Sequence, residues 1–228
     1  SPVMQLADAA RYGASKPDNL TVAVELDAGI GNSFIMKKFS ADPGLHQVRY
    51  FYREQARNEM IAPAWLCSTR EDDIAWMSAR DRSLTGNTSQ LAVHLLADTG
   101  KPPANETALL SGNRIDTCYS SGGRWIERVV KIDIVTRGDY WIAFHAEGKS
   151  DGIGAAVANI VVCREPCAQD NGSPRVSMPN FPWGPDELLF EDRFTTRDES
   201  NPIAVSPVRA KSGWDFSPAG WTVWPQNQ

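Results

Sequence analysis

The stretch LTVAVELD at residues 20–27 alternates apolar residues with more polar ones. A period of two places every second side chain on one face of a strand, so this pattern predicts a strand that is buried on one side. Two similar stretches, residues 34–39 and 47–53, flank a turn at residues 41–44. Proline followed by glycine is strong turn chemistry, and we expect the two strands to form a hairpin.

Further alternating stretches are separated by clusters of Gly, Asn, Ser and Asp. They lie at residues 90–96, 124–135, 140–147 and 155–162, and short apolar runs return at residues 188–190 and 221–224. Seven or more short strands joined by turns predict an all-β fold, an antiparallel β-sandwich. Helical spacing is weak, and we expect at most one short helix, within residues 67–86.

Composition excludes several classes of protein. The chain has 228 residues, 42% of them hydrophobic, and a net charge of −5, which fits one ordinary domain or two small ones. It contains no run of about 18 apolar residues, so we expect no membrane insertion. It also lacks a Lys/Arg cluster, which argues against nucleic acid as a partner. Its three histidines belong to no HExxH motif, and no acid–base partner is obvious from their spacing, so we expect no enzymatic activity.

The four cysteines predict two disulfides rather than a zinc site. Cys67, Cys118, Cys163 and Cys167 are even in number and contain no CxxC pair. Three connectivities are open; we favour Cys163 with Cys167 and Cys67 with Cys118. Four free buried thiols are the alternative. Disulfides would place the protein outside the reducing cytosol, secreted or on the cell surface.

Several motifs resemble a known family when they are taken together and in order. They are VELDAG at residues 24–29, GNS at 31–33, the Pro-Gly turn with VRYFY at 48–52, YWIAF at 140–144, and residues 152–162. Their order and spacing over roughly residues 20–162 resemble the galactose-binding-like jelly-roll modules of secreted carbohydrate-binding proteins. The resemblance implies a jelly roll that binds carbohydrate without catalysis.

The first strands of that family are missing at the front of this chain. Residues 187–194 resemble the first strand, and residues 220–224 resemble the turn after it. We therefore expect a main sandwich at 1–163, a Pro-rich connector at 164–187 and C-terminal strands at 188–228. The strands would complete the same sandwich, as in a circular permutation, or that of a neighbour by strand donation, which would give a homo-oligomer or a contact with a neighbouring module.

The resemblance also implies one cofactor for this family, a structural calcium ion. Related jelly rolls often bind calcium through an acid of the first strand and an Asp near the last strand. At the aligned positions this chain has Thr195 and Ala158. The acidic residues that remain as substitute calcium ligands are Glu25, Asp27, Glu191 and Asp192.

Sugar binding requires an apolar platform surrounded by side chains that reach hydroxyl groups. The alternation of the strands turns five such side chains outward, and we predict one exposed ligand face formed by Arg49, Arg53, His94, Trp141 and His145. The alternative is that this face is covered by the connector or by the segment between Cys67 and Cys118. A second candidate consists of the loop aromatics Tyr12, Trp65, Trp76, Tyr119 and Trp183.

These observations predict a non-catalytic extracellular module for carbohydrate binding or adhesion, whose partner is a glycan or another cell-surface component. The alternative is a structural subunit of a surface assembly that polymerises by strand complementation. A weaker third hypothesis is a domain attached to an enzyme outside this sequence.

Overall fold

The computed structural model describes two β-sheets packed face to face. The described residues are 3–8, 22–26, 33–54, 66–69, 89–103, 106–121, 123–147, 154–167, 188–192, 207–209, 215–216 and 221–225. For residues 3–8 and for the strands beyond residue 187, the backbone alone is described. The predicted antiparallel β-sandwich is confirmed.

Within the part of the chain that the structure describes, seven strands form each sheet, and all of the pairs are antiparallel. The first sheet has the order β12 (Pro207–Arg209), β1 (Val3–Asp8), β2 (Val22–Glu25), β10 (Ala156–Arg164), β4 (Gly44–Arg53) and β8 (Ile126–Ile134), with β11 (Leu188–Asp192) also paired to β10. The second sheet has the order β13 (Asp215–Phe216), β14 (Trp221–Pro225), β3 (Ser33–Ala41), β9 (Gly138–Ala146), β6 (Leu91–Ala97), β7 (Asn113–Ser120) and β5 (Leu66–Ser68).

The main core lies between the two sheets. Along β4 the alternating residues Val48, Tyr50 and Tyr52 are at most 1% exposed, as the period of two predicts. They meet Ile142 and Phe144 of β9 in one apolar cluster, and the rings of Tyr50 and Phe144 pack edge to face with centroids 5.1 Å apart. Each large apolar side chain buried in this way contributes about 1.5–3 kcal/mol. The burial pattern therefore fixes which face of each strand points inward.

The predicted hairpin at residues 34–53 is wrong. β3 pairs with β9 and β14, whereas β4 pairs with β8 and β10, so the two strands belong to different sheets. The Pro-Gly turn carries the chain across the sandwich. Gly44 has φ of 135°, a conformation that L side chains rarely adopt, which explains glycine at this position. Alternation specifies which face of a strand is buried but not which strand is its partner.

The C-terminal strands pair with strands of the same chain in this structure. β14 lies alongside β3, with Trp221 opposite Lys37, and β11 lies alongside β10, with Phe190 opposite Val162. β2 and β11 occupy successive parts of one edge of β10. Between these two parts, Asn159 has a positive φ of 48° next to a register shift against β4. The division into sandwich, connector and completing strands stays a prediction, since residues 168–187 lie outside the described part.

The described helix is α1 (Glu106–Leu110), between β6 and β7. The helix expected within residues 67–86 falls largely outside the described residues. The strands that sequence reasoning did not anticipate include β5 and β7, which form one edge of the second sheet. Within the described residues, no helix has the length and apolar character needed to cross a membrane.

Both favoured disulfides are present. Cys67 of β5 is bonded to Cys118 of β7, and Cys163 of β10 is bonded to Cys167 shortly after the strand. The first links neighbouring strands at the edge of the second sheet, and the second closes a small loop at the end of the first sheet. Two disulfides are compatible with a secreted protein.

Candidate functional site

The five residues predicted to share one ligand face are divided between two faces. Arg49 and Arg53 lie on β4 of the first sheet, whereas His94, Trp141 and His145 lie on β6 and β9 of the second. All five point away from the central core, so the two groups lie on opposite sides of the sandwich. The single-face prediction is wrong because strand parity distinguishes inside from outside but does not assign a strand to a sheet.

The outer face of the second sheet is covered. Trp141 is 9% exposed and packs with Leu109 of α1, together with Phe34, Met36, Leu96 and Ala143. The indole Nε1 of Trp141 donates to Asp98 Oδ1 at 2.9 Å. Because α1 lies between Cys67 and Cys118, the covered-face alternative describes this side of the molecule. Of the loop aromatics, Tyr119 is buried in β7, and the other four lie outside the described residues.

A buried polar cluster lies on this covered face, and we call it the His–His–Glu cluster: His94, His145 and Glu147. β6 and β9 pair with His94 opposite Ala143 and with His145 opposite Ala92, so the two imidazoles are diagonal neighbours. Both histidines are 1% exposed. Glu147 Oε1 lies 3.6 Å from His145 Nδ1 and 4.0 Å from His94 Nε2.

Three polar side chains surround the His–His–Glu cluster. Arg114 of β7 is opposite His94, and its guanidinium contacts Glu147 Oε1. Gln90 donates to the other oxygen of Glu147 at 3.1 Å. Glu106 of α1 places a carboxylate oxygen 3.4 Å from His145 Nε2. The cluster therefore has one cation and one further carboxylate at its rim.

The environment sets the charges of the cluster. Burial, followed by the neighbouring guanidinium of Arg114, lowers the pKa of His94 to about 4. Burial alone would raise the pKa of Glu147, but contact with His145 and the charge of Arg114 hold it below the ordinary value. At neutral pH the cluster thus combines an uncharged His94 with an ionised carboxylate, which are the protonation states of metal ligands.

Both imidazoles are poorly satisfied. None of their four ring nitrogens makes a well-aligned hydrogen bond within the described residues, although His145 faces the carboxylates of Glu106 and Glu147 at 3.4 Å and 3.6 Å. An unsatisfied buried polar group costs about 1–3 kcal/mol. The nearest ligand atoms of His94, His145 and Glu147 all lie within 4.8 Å of one another, so these residues could hold a metal ion.

Sequence reasoning selected the two histidines but missed the rest of this site. Glu147 had a signal, because it follows His145 by two residues and therefore shares its side of the strand. Arg114 and Glu106 had none, since β7 and α1 were not predicted. The pairing of β6 with β9, which brings the histidines together, is a long-range contact that no local pattern encodes.

The outer face of the first sheet carries an open groove of about 880 Å³. Its walls come from β4, β8 and the end of β10, and its lining residues are Gly44, Leu45, Gln47, Arg49, Glu127, Val129, Arg164, Glu165, Pro166 and Cys167. Arg49 is thus the one residue of the five predicted ligand contacts that lines this groove. Arg53 lies further along β4, opposite Ala156, where burial lowers the pKa of its guanidinium.

The predicted calcium ligands are only partly described. Glu25 is 3% exposed and lies opposite Ala156 of β10. Asp192 lies opposite Ile160 and Glu191 opposite Val161 on the same strand, with backbones alone described. Asp27 is outside the described residues. The calcium site stays a prediction, and the metal-capable cluster found in the described residues is a different one.

Comparisons of this chain with protein-family models, curated proteins and solved structures found no match.

Proposed function

We propose that this chain is a non-catalytic extracellular module that binds carbohydrate, and that its ligand occupies the groove on the outer face of the first sheet. The observation that carries the proposal is the composition of that groove. Planar hydrogen-bonding side chains and exposed aliphatic side chains alternate on a solvent-facing sheet surface. The two disulfides support a location outside the cytosol.

The polar side chains of the groove are held in place by one another. Arg49 donates to Glu127 through Nε at 3.2 Å and through Nη2 at 2.5 Å. Gln47 donates to Glu165 at 2.6 Å. A guanidinium has five N–H donors and a carboxylate has about four acceptor positions, so these pairs retain free capacity. Fixed donors and acceptors of this kind suit a hydroxyl-rich ligand, because each sugar hydroxyl both donates and accepts.

The charges of the groove favour a neutral ligand over an anion. Arg49 and Arg164 lie among Glu127 and Glu165, and Lys131 pairs with Glu165 at 2.9 Å. A phosphate group would meet these carboxylates as well as the guanidinium groups. A neutral sugar experiences no such repulsion, and its hydroxyl groups can hydrogen-bond to both the carboxylates and the guanidinium groups.

The apolar part of the groove is aliphatic. Leu45 is 51% exposed and Val129 is 49% exposed, and both line the groove. They can contact the C–H face of a sugar ring, but the lining residues include no aromatic ring for stacking. We therefore expect weak binding per site, with dissociation constants near the millimolar range, strengthened by repeated copies on a surface.

A glycan array tests this proposal when the protein is displayed in multivalent form. We expect a set of neutral glycans to bind, and we expect Arg49→Ala to weaken that binding at least about tenfold. Arg124→Ala is the matched control, because Arg124 is exposed and does not line the groove. No binding to any glycan, or an equal loss of glycan binding in both variants, would contradict the proposal.

Strand complementation remains the alternative function. Here β11 and β14 pair within the chain, so polymerisation would require them to leave those positions for a neighbour. Light scattering over a range of concentrations distinguishes the two functions. A constant monomer mass is expected for the binding module, whereas mass that grows with concentration would favour the assembly.

A further inference from the structure

We infer that His94, His145 and Glu147 form a binding site for a divalent zinc ion on the covered face of the second sheet. This site is independent of the carbohydrate groove, because it lies on the opposite side of the sandwich. Its failure and the failure of the proposed function are therefore separate results.

The chemistry of the ligands selects the metal. Two imidazole nitrogens and one carboxylate oxygen are a common ligand set for zinc. Calcium and magnesium prefer sites built from oxygen, and they would gain little from two imidazoles. The three protein ligands leave a fourth tetrahedral position. Glu147, Arg114 and Glu106 are partly exposed at the rim, with side-chain exposures of 14%, 30% and 35%, so water can reach that position.

The separations between the three ligand atoms are larger than in a zinc-bound site, so the side chains must move closer together when zinc binds. Zinc bonds of about 2.0–2.2 Å imply separations of roughly 3.4 Å between tetrahedral ligand atoms. The separation between His145 Nδ1 and Glu147 Oε1 is already 3.6 Å, and that between His94 Nε2 and the same oxygen is 4.0 Å. The largest separation in the cluster is at most 4.8 Å. Small rotations of the imidazoles and of the terminal carboxylate can close these gaps, since terminal sp³–sp² torsions are broad.

The unsatisfied imidazoles are the second, independent observation. Purely structural histidines usually find hydrogen-bond partners, because an orphaned buried nitrogen is costly. Here both rings are buried, no ring nitrogen makes a well-aligned hydrogen bond in the described part of the chain, and His145 faces two carboxylates at 3.4 Å and 3.6 Å. A zinc ion would satisfy His94 Nε2 and His145 Nδ1 together. Nε2 of His145 would then face Glu106 at 3.4 Å, in the carboxylate–histidine–metal arrangement that orients metal ligands.

Arg114 is the competitor for this ion. Its guanidinium contacts Glu147 Oε1, the oxygen that lies nearest to both histidines. A guanidinium at this position balances the carboxylate when the site is empty and opposes a cation that arrives. Because the Arg114 side chain is 30% exposed, it can turn toward solvent when zinc binds. Removal of the Arg114 charge should therefore tighten zinc binding, which a merely structural ion pair would not do.

The test uses the full chain without a polyhistidine tag, stripped with chelator and titrated with ZnCl₂ in competition with a chromogenic chelator. We expect one equivalent of Zn²⁺ to bind, and Co²⁺ to produce the visible absorption of a four-coordinate site. His94→Gln and His145→Gln should weaken Zn²⁺ binding at least about 100-fold, whereas Arg114→Gln should strengthen it about tenfold. Titrations with Ca²⁺ and with Mg²⁺ under the same conditions should show no binding at this site.

Glu147→Gln provides a second variant in case a histidine variant does not fold. It keeps the shape of the side chain at a partly exposed position, and circular dichroism checks its fold. Loss of Zn²⁺ binding in folded Glu147→Gln supports the site. Absence of stoichiometric Zn²⁺ uptake by the folded wild type, or unchanged uptake in folded Glu147→Gln, overturns it.

Discussion

A buried ion pair links the two sheets, and its removal should reveal how strongly they are joined. Asp116 of β7 is 0% exposed and accepts from Arg128 of β8 at 2.8 Å and 2.9 Å, one bond to each carboxylate oxygen. Tyr50 of β4 donates its hydroxyl to the same carboxylate at 2.7 Å. Asp116 belongs to the second sheet, while both partners belong to the first. The perturbations are Arg128→Met, Asp116→Ala and Tyr50→Phe.

The expected magnitudes follow from what each variant leaves behind. Arg128→Met leaves a fully buried carboxylate without its cation, which should reduce the free energy of unfolding by about 4–5 kcal/mol. Asp116→Ala leaves Arg128, whose side chain is 15% exposed and can reach water, so a smaller loss is expected. We place that loss at about 3 kcal/mol. Tyr50→Phe removes one hydrogen bond to a charged group and keeps the ring in place, with a loss of about 1.5 kcal/mol.

Urea denaturation in oxidising buffer measures these losses as shifts of the midpoint at constant slope. Arg137→Met is the control, since the Arg137 side chain is 84% exposed, and we expect it to change stability by less than about 0.5 kcal/mol. The double variant Asp116→Ala with Arg128→Met should be more stable than Arg128→Met alone, because it buries no unpaired charge. Losses no larger than that of Arg137→Met would refute the reasoning.

Three further predictions concern the cover, the disulfides and an acidic side chain. Leu109→Ala should lower the free energy of unfolding by about 2–3 kcal/mol, because Leu109 is 0% exposed. Leu110→Ala is the control, since Leu110 is 45% exposed and its removal should change stability little. Thermal unfolding compares the two variants. Loss of the Cys67–Cys118 disulfide, which closes a loop with a sequence separation of 51, should lower the free energy of unfolding by about 4 kcal/mol through the loop-closure entropy of the unfolded chain. Loss of Cys163–Cys167, with a separation of 4, should lower it by about 2 kcal/mol. Urea denaturation of the two double Cys→Ala variants tests this order. Lys38 and Trp141 hold the pKa of Asp98 below its ordinary value of 3.8. The ionised carboxylate therefore stabilises the fold above pH 3.8, and this stabilisation is lost as the pH falls through the lower pKa of the folded state. The difference in free energy of unfolding between wild type and Asp98→Asn should narrow in acid.

The sequence was sufficient for the fold class and for the inward faces of the strands. Val48, Tyr50 and Tyr52 are buried as their alternation predicts, and the favoured cysteine pairs are both bonded. Strand pairing could not be predicted, because the alternation of apolar and polar residues is the same on either side of a hairpin turn and of a turn that crosses between sheets. The turn at Pro43-Gly44 is of the second kind.

The error in pairing explains the error in the ligand face. Arg49 and His94 both point outward, but their strands belong to different sheets, so they lie on opposite sides. The His–His–Glu cluster needed the register of β6 against β9, which places Ala92 opposite His145. That register arises from the packing of the whole second sheet rather than from the residues near either histidine. Local patterns could therefore supply individual ligands but could not assemble the site.

The two outer faces differ in a way that is consistent with the two separate sites that we propose. The outer face of the second sheet presents Phe34, Met36 and Trp141, and such apolar surface is stable only beneath a cover. Polar groups under that cover lose water, so in the zinc site that we propose the ion binds the imidazoles of His94 and His145. The outer face of the first sheet carries Gln47, Arg49, Glu127 and Lys131 along β4 and β8, so this part of the sheet needs no cover. A large solvated ligand can reach only such an uncovered sheet surface, whereas an ion can bind where a sugar has no room.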